Sequence, residues 1–426
     1  MKLRKRWAFI TLTLMTSIVT SCNLNSNFDD PDTTYPGVFE LTDIQQELLK
    51  QSNSFSLNLF KQIIDSRSAD ESLKNQSLII SPISITYALG MLNNGAAGNT
   101  QEQINKVLGF ESVGADAIND YCLKMLRTAP VLDPKTKIMI ANTIYMNKGY
   151  NLRPEFIQKA KTYYDACPET RDFHDGKTMD VINKWASDHT ERMIEKVLDE
   201  SSFNPDAVSY LLNAIYFKGE WTTKFEKELT EEREFMHAGD TKELIMRPMM
   251  RMNAELEYAE IDGYQVLRLP FGNKSYQMTI LLPLVKDDKI NVLPAVPSEK
   301  TWSKINKNMS SHTVELLLPR IETKSEIDLP EIMSALGMPD AFNPDKADFS
   351  KFCDADTYIA LMKQVATINL DEDGAEASAV TVIGMDNAAY SPITFIKYFY
   401  ADHPFIYIIS EKSTNAIFFI GQYTGY

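Results

Sequence analysis

The stretch from Gln364 to Asp402, QVATINLDEDGAEASAVTVIGMDNAAYSPITFIKYFYAD, sets the interpretation of the whole chain. From Val365 to Leu370 two sets of side chains alternate, a period-two pattern that predicts a strand buried on at least one face. A run of small residues then follows Gly374, and one side of that run is slim and uncharged: Ala375, Ala377, Ala379 and Thr381. Such a run fits a strand that enters a sheet late. An alanine-rich surface loop is the alternative that these residues leave open.

The N-terminus has the pattern of an export signal. Four basic residues precede an apolar run from Trp7 to Val19, which is too short to span a membrane, and a signal peptide over residues 1–21 is predicted. Val19-Thr-Ser-Cys22 resembles a bacterial lipobox, in which the cysteine is acylated. A plain signal peptide with an incidental Cys22 is the alternative. The next residues are rich in Asn, Asp, Pro and Thr, so a lipidated, flexible tether is predicted over residues 22–40. The expectation is an exported lipoprotein of the outer membrane or cell surface, facing outwards.

Composition narrows the class of protein. The chain has 426 residues and a formal charge of -15, which becomes -19 without the four basic residues of the leader. A chain this acidic is not expected to bind nucleic acid, and contact with a membrane is expected only through the lipid anchor. No linker or repeat interrupts residues 41–426, so one large domain is predicted. Apart from Cys22, three scattered cysteines allow at most one disulfide: Cys122, Cys167 and Cys353.

The order of secondary structure predicts an α+β fold, because helices dominate the first half and strands the second. Thr42 and Gln45 form a capping box at the start of a helix, and Ser81-Pro82 begins another, with the serine as its cap. Further helices are predicted at 100–108, 154–164, 178–190 and 328–337. Strands are predicted at 138–146, 208–217, 264–271, 276–283, 312–318, 359–370, 393–399, 405–409 and 416–421.

Motifs for catalysis or cofactor binding are missing from the sequence. It contains no GxSxG, HExxH or GxGxxG, and its five histidines are dispersed. Asn369, Asp371, Asp373 and Gly374 mimic the opening of a calcium loop, but Val380 stands where the closing glutamate is required. No enzyme activity, cofactor or metal is therefore predicted.

Eight sequence segments occur in the order in which one protein family carries them. They are SLIISPISITYALGMLNNGA from Ser77, ANTIYM from Ala141, INKWASDHT from Ile182, NAIYFKGEWTTKF from Asn213, LGM from Leu336, ADFS from Ala347, DEDGAEASA from Asp371 and DHPF from Asp402. No single segment is decisive, but the ordered set is highly specific. Over residues 41–426 the chain resembles a serpin.

The resemblance implies a fold and a mechanism. The implied fold has a large central mixed sheet, two smaller sheets, helices packed around them and an exposed reactive loop at about 374–393. Serpins offer this loop to a protease as bait. After the protease forms its acyl intermediate, the cut loop inserts into the large sheet as a new strand and distorts the protease. The implied partner is a serine protease, with cysteine proteases as a further class, held in a covalent 1:1 complex by a monomeric inhibitor.

The resemblance also assigns roles residue by residue. The hinge of the loop corresponds to Glu372, Gly374, Ala375, Glu376, Ala377, Ser378, Ala379, Val380 and Thr381. The network that opens the sheet corresponds to Ser81, Ser84, Asn213, Gln364 and Trp221. Two positions depart from the family pattern: Ala375 replaces a usual threonine or serine, and Gln364 replaces a histidine found in many members. Glutamine both donates and accepts hydrogen bonds, so we expect the network to persist without a histidine's pH sensitivity.

The position of the reactive bond stays open at this point. Family spacing of fourteen residues after Gly374 places the bond between Ala388 and Ala389, which would suit an elastase-like serine protease. A hinge one residue shorter points to Asn387. A longer loop moves the bond towards Tyr390 and Ser391, which would suit a chymotrypsin-like protease.

Two other functions fit parts of the sequence. A non-inhibitory serpin would act as a binding or storage protein, but this hinge lacks the charged or bulky inward-facing residues that favour that reading. A surface lipoprotein that captures a nutrient polymer would need clustered exposed aromatic residues, and no such cluster is visible in the sequence. An irreversible protease inhibitor is therefore the leading hypothesis.

Overall fold

The first helix begins where the sequence predicts it. The backbone N–H of Gln45 donates to Oγ1 of Thr42 over 3.3 Å, and the Thr42 N–H donates to Oε1 of Gln45 over 3.1 Å. These two bonds close the predicted capping box, and the helix then buries Phe55 and Leu59. The computed structural model that contains this helix describes residues 37–238, 244–284, 294–375 and 396–426.

The described residues form eight α-helices and fifteen strands, in the α+β order that was predicted. The helices are α1 (Asp43–Ser68), α2 (Pro82–Asn93), α3 (Gly98–Leu108), α4 (Ala115–Thr128), α5 (Pro154–Tyr164), α6 (Thr178–His189), α7 (Glu299–Asn308) and α8 (Pro330–Leu336). The strands are β1 (Leu78–Ile80), β2 (Thr136–Asn147), β3 (Glu169–Arg171), β4 (Ser209–Glu220), β5 (Glu231–Met236), β6 (Leu244–Ile261), β7 (Tyr264–Phe271), β8 (Tyr276–Pro283), β9 (Ser310–Pro319), β10 (Ile321–Asp328), β11 (Leu361–Asp371), β12 (Gly374–Ala375), β13 (Lys397–Tyr400), β14 (Phe405–Glu411) and β15 (Ile417–Tyr423).

The strands form two sheets. The central sheet has six strands in the order β10-β11-β12-β4-β2-β3, and β11 also pairs directly with β4. It is mixed, because β11 and β4 are parallel whereas β10 and β2 run antiparallel to them. The second sheet has nine strands, in the order β1-β15-β14-β8-β7-β6-β9-β13 with β5 on β6. Two smaller sheets were expected. Instead the 18-residue strand β6 pairs with β5, β7 and β9, and this joins them into one.

Helix α2 packs between the two sheets. All twelve of its residues are buried, and it packs against β15 of the second sheet and against β2 and β4 of the central sheet. A helix that is buried on every side is apolar all round, which explains the run of Ile, Leu and Met in its sequence. Ser81 lies at its N-cap, but its hydroxyl does not cap the helix as predicted. It donates instead to the carbonyl of Phe418 over 2.7 Å.

The folded domain begins earlier than the sequence suggested. The predicted tether extends to residue 40, but Phe39 is buried. The N–H of Gly37 donates to Oγ of Ser275 over 2.8 Å, and the N–H of Phe39 donates to Oγ of Ser413 over 3.2 Å. Residues 37–40 therefore pack on the domain, because an apolar ring and two backbone donors find partners there.

Several other features concern the interpretation of function. Among the described residues, no helix combines the length and the apolar character that crossing a membrane requires, and no three histidine, cysteine or acidic side chains cluster as metal ligands do.

Cys122 and Cys353 are buried free thiols, so these two residues do not form the disulfide that the sequence left open. Burial raises the pKa of the Cys122 thiol to about 12, so it is not a reactive thiolate at neutral pH.

Candidate functional site

The site lies where β11 and β4 separate at one end of the central sheet. The two strands pair in parallel over seven residue pairs, from Leu361 with Tyr210 to Thr367 with Tyr216. Beyond that point the chain reverses after Asp371 and returns between them as the short strand β12. The hinge predicted from the sequence therefore begins inside the sheet.

Strand β12 pairs with both of its neighbours. Gly374 lies opposite Asp371 on one side and Glu220 on the other, and Ala375 lies opposite Leu370 and Gly219. Both pairings are antiparallel. Gly374 and Ala375 were expected at the start of an exposed loop, but both are buried strand residues, and Ala375 is 1% exposed. Only a slim side chain fits at this depth.

Position 374 requires glycine for two reasons. Its φ of +127° lies in a region that L side chains rarely adopt. A Cβ atom built there would lie 2.7 Å from Cα of Glu220 and 2.7 Å from the backbone nitrogen of Trp221, and closer still to the carbonyl oxygen of Gly219. All three obstacles are backbone atoms of the neighbouring strand and the residue after it, which cannot rotate away as a side chain would.

Two acidic residues hold the turn that leads into β12. Glu372 is 2% exposed; its carboxylate accepts from Arg320 over 2.7 Å and from the hydroxyl of Thr230 over 2.6 Å. Burial of this carboxylate opposes its ionisation, but the hydrogen bonds from Arg320 and Thr230 outweigh that effect and lower the pKa of Glu372. We call Glu372, Arg320 and Thr230 the hinge clamp.

Asp373 adds a second set of ion pairs beside the hinge clamp. Its carboxylate lies 2.6 Å from Nζ of Lys227 and 3.2 Å from Nζ of Lys224. The hydrogen bond from Lys227 lowers the pKa of Asp373, with a further contribution from Lys224 against the opposing effect of burial. Both acids of the turn are therefore charged at neutral pH and paired with cations from the segment after β4 or from the residue between β9 and β10.

Trp221 fixes the backbone of the same turn. Its indole N–H donates to the carbonyl of Asp371 over 2.8 Å, and its backbone N–H donates to the carbonyl of Asp373 over 3.0 Å. The carbonyl of Glu372 accepts from the N–H of Phe225 over 2.9 Å. The indole also stacks on Phe271, with ring centroids 4.4 Å apart. Three successive carbonyls of the turn, those of Asp371, Glu372 and Asp373, are thus satisfied.

The other predicted network residues meet beneath the parallel pair. Nε2 of Gln364 donates to Oδ1 of Asn213 over 2.6 Å and to the carbonyl of Ser81 over 2.9 Å, while the Ser81 N–H donates to Oε1 of Gln364 over 3.0 Å. Nδ2 of Asn213 donates to Oγ of Ser84. Gln364 therefore uses both its donor and its acceptor here, the two capacities from which the network was expected to persist without a histidine.

One residue of this network was missed. Asn142 on β2 lies in register with Asn213 on β4, which lies in register with Gln364 on β11. Nδ2 of Asn213 donates to Oδ1 of Asn142 over 2.6 Å. We call Gln364, Asn213 and Asn142 the amide row, because they join three adjacent strands side by side. The sequence signal that could have found Asn142 is its amide side chain within the mostly apolar segment ANTIYM.

The remaining predicted site residues lie outside the described residues. They are Glu376, Ala377, Ser378, Ala379, Val380 and Thr381 of the hinge, Asn387, Ala388, Ala389, Tyr390 and Ser391 around the reactive bond, and Cys22. Their roles stay predictions.

Comparison with known proteins identifies the family. The family described as Serpin (serine protease inhibitor) matches residues 50–425. The chain belongs to the serpin family. It is 31% identical to Serpin B6 of Macaca fascicularis and 31% identical to Serpin B3 of Homo sapiens, in each case over 88% of this chain and 99% of the relative. Among solved structures it resembles the thermophilic serpin tengpin in its native state, with 29% identity, a TM-score of 0.80 and coverage of 92% of this chain and 97% of tengpin. Membership supports a protease-inhibitor type of function and not an enzymatic one.

The hinge clamp predicts a pH-dependent stability for this serpin. An Arg320→Ala variant leaves the buried Glu372 carboxylate without its cation, and at pH 7 we expect it to lower the free energy of unfolding by about 1–2 kcal/mol, since Arg320 is half-exposed. The pKa of Glu372 lies below its usual value of 4.5. The stabilisation by this ion pair is therefore complete above pH 4.5. It is lost as the pH falls through the lower pKa that Glu372 has in the folded state.

Urea unfolding at pH 7 and at pH 3.5 measures the effect. Lys324→Ala is the matched control, because Lys324 lies on the neighbouring strand β10 and pairs with Glu326 at an exposed position. We expect the control to change the free energy of unfolding by less than about 0.5 kcal/mol at either pH. If Arg320→Ala lowers the free energy of unfolding by no more than the control does, the hinge clamp contributes nothing to stability.

Proposed function

We propose that this serpin is an irreversible, suicide-type inhibitor of serine proteases, with elastase-like enzymes as its main targets. The observation that carries the proposal is the position of β12. Gly374 and Ala375 are already paired with both β11 and β4. They occupy the first two positions of a strand that the rest of the hinge would extend, so further insertion continues an existing ladder and does not have to nucleate a new one.

The chemistry begins with an ordinary protease attack. The serine oxygen of the protease attacks the carbonyl carbon of Ala388, the amide bond to Ala389 breaks, and the new amine of Ala389 takes a proton. The protease is then joined to residue 388 through an ester, and the chain before that residue is no longer tethered at its far end. Insertion of this chain must outrun hydrolysis of the ester. The first residues to enter therefore need to be small and uncharged on the buried side.

Insertion exchanges one kind of strand pairing for another. The parallel contact between β4 and β11 is replaced by two antiparallel contacts with the entering strand, and antiparallel pairing is slightly more stable per residue. A strand of about fourteen residues spans roughly 46 Å. At about 1 kcal/mol for each net hydrogen bond, its insertion releases on the order of ten kcal/mol. That is comparable with the whole stability of a domain.

The amide row supplies a barrier against premature insertion. When β4 and β11 part, the hydrogen bond between Gln364 and Asn213 breaks, and so do the backbone bonds of the seven parallel pairs. Buried amides without partners cost free energy until new partners form. The native state therefore persists until cleavage releases the loop.

The proposal is tested by incubation with pancreatic elastase. We expect a covalent 1:1 complex that survives hot detergent. We also expect mass spectrometry to show that the released C-terminal fragment begins at Ala389. A fragment that begins at Ser391 would indicate a chymotrypsin-like target instead. Cleavage without any complex, by elastase and by chymotrypsin, would contradict inhibition and favour the non-inhibitory binding or storage serpin.

The place of action is part of the same proposal. An N-terminal signal and a lipid on Cys22 would hold the inhibitor at the outside of a bacterial cell envelope, where it meets foreign proteases. The support is the leader sequence alone. Incorporation of a lipid precursor is expected to require Cys22, and labelling that persists in a Cys22→Ala variant would remove the anchor.

A further inference from the structure

The strand that follows the loop presents an exposed apolar surface. Ile396 is 46% exposed and Tyr398 is 55% exposed, which is unusual for large apolar side chains in this structure. Ile396 directly precedes β13 and Tyr398 lies on it. Strand β13 pairs with β9 at the end of the second sheet. Tyr400 follows on the same side of the strand, with its ring centroid 5.9 Å from that of Tyr398. We call Ile396, Tyr398 and Tyr400 the β13 patch.

The β13 patch is held in place from below. Phe399 points to the opposite side and is completely buried, which anchors the strand. The hydroxyl of Tyr400 donates to Oε1 of Glu315 over 3.0 Å, and Nε2 of Gln265 donates to the carbonyl of Tyr398 over 3.3 Å. Aromatic side chains that are ordered before binding lose little entropy on contact, and tyrosine is enriched among the residues that dominate interface energies.

Chain length places the β13 patch within reach of a docked protease. Ile396 is eight residues after Ala388 and six after Tyr390. At up to about 3.6 Å per residue, it lies no more than roughly 29 Å from the first bond and roughly 22 Å from the second. A protease domain of about 230 residues has a radius of gyration of about 17 Å and is roughly 45 Å across. A protease seated on either bond therefore extends as far as the patch.

A carboxylate lies on the same face of the sheet. By register, Tyr398 is opposite Glu315, which is opposite Asn253, and Glu255 follows two residues later on the same side. Oε2 of Glu255 accepts from the hydroxyl of Ser311 over 3.2 Å, and its other oxygen accepts from Thr313. Within the described part of the chain this exposed carboxylate makes no ion pair, so its charge is available to a partner.

We propose that the β13 patch, with Glu255 at its rim, is a second contact surface for the target protease. The inference rests on the proposed function, because the occupant is the protease bound at the reactive bond. The partner it fits has an apolar surface and a cation beside its active-site cleft. Contact there increases the rate of association, and it takes no part in strand insertion.

The test measures the second-order rate constant for covalent complex formation with pancreatic elastase. We expect Tyr398→Ala to reduce it about tenfold, as truncation of a central interface aromatic does, and Ile396→Ser to reduce it in the same direction. The stoichiometry of inhibition is expected to stay at the wild-type value. Glu255→Gln is expected to slow association about threefold at low salt and to have no effect at 0.5 M salt, since salt screens charges at this range.

Ile44→Ala is the matched control, because Ile44 is 55% exposed and lies on α1, away from β13. Rate constants for Tyr398→Ala and Ile396→Ser within twofold of the control would overturn the contact surface. A wild-type protein that forms no complex at all would overturn the proposed function instead. The two failures are therefore distinguishable in one experiment.

Discussion

Cleavage of the chain at the reactive bond is expected to raise the Tm of this serpin by on the order of 20 °C. In the proposed mechanism insertion releases on the order of ten kcal/mol, and each kcal/mol raises the Tm of a domain this large by about 2 °C. The same mechanism gives no such gain to intact protein, because the uncut chain is joined to the domain at both ends. The measurement is calorimetry of intact protein and of protein nicked between residues 388 and 391.

An Ala375→Arg variant gives the control for that rise. Ala375 is buried between Leu370 and Gly219, so an arginine there puts a charge into the path of the strand. We expect nicked and intact forms of this variant to melt close together. If nicked and intact wild-type protein also share one Tm and one pattern of backbone hydrogen exchange, the loop does not insert and the mechanism is wrong.

Replacement of Gly374 by alanine is expected to convert the inhibitor into a substrate. The added Cβ would approach backbone atoms of Gly219, Glu220 and Trp221, which lie on or directly beside the neighbouring strand and cannot give way as a side chain does. Overpacking of this kind costs about 1–3 kcal/mol. Because Gly374 is already paired with both neighbouring strands, we expect the clash to displace β12, so that insertion has to nucleate a new ladder and is slowed by roughly 5- to 150-fold at 1.4 kcal/mol per factor of ten. Hydrolysis of the ester is then faster than insertion of the strand, and the protease is released.

Titration of elastase with the variant, followed by denaturing electrophoresis, measures the conversion as a rise in the stoichiometry of inhibition of roughly tenfold or more. Gly149→Ala is the matched control. Gly149 also has a positive φ, of +104°, but nothing lies within 4 Å of the Cβ it would gain. The control carries the backbone strain without the clash. Wild-type stoichiometry in Gly374→Ala would show that insertion does not need the space at position 374.

Elements with a clear local pattern were predicted from the sequence, and elements without one were missed. The bounds of α5, β7 and β8 agree with their predicted ranges, because each has a regular apolar period and clear end signals. Strand β10 was missed although it alternates strictly between buried and exposed residues. Its buried positions include Thr323 and Ser325, which do not read as apolar. Strand β6 was missed because charged residues interrupt its methionines.

The sequence by itself determined the family and the α+β class, and its contiguous motifs led to the prediction of the hinge glycine and of the opening-network residues other than Asn142. Only the tertiary structure decided which distant residues contact the hinge and the opening network. Arg320 and Thr230 contact Glu372 from 52 and 142 residues away, and Asn142 reaches Asn213 from 71 residues away. A local pattern cannot predict such contacts, because strand pairing selects them. The same pairing places Gly374 and Ala375 between β4 and β11, where part of the loop is already a strand.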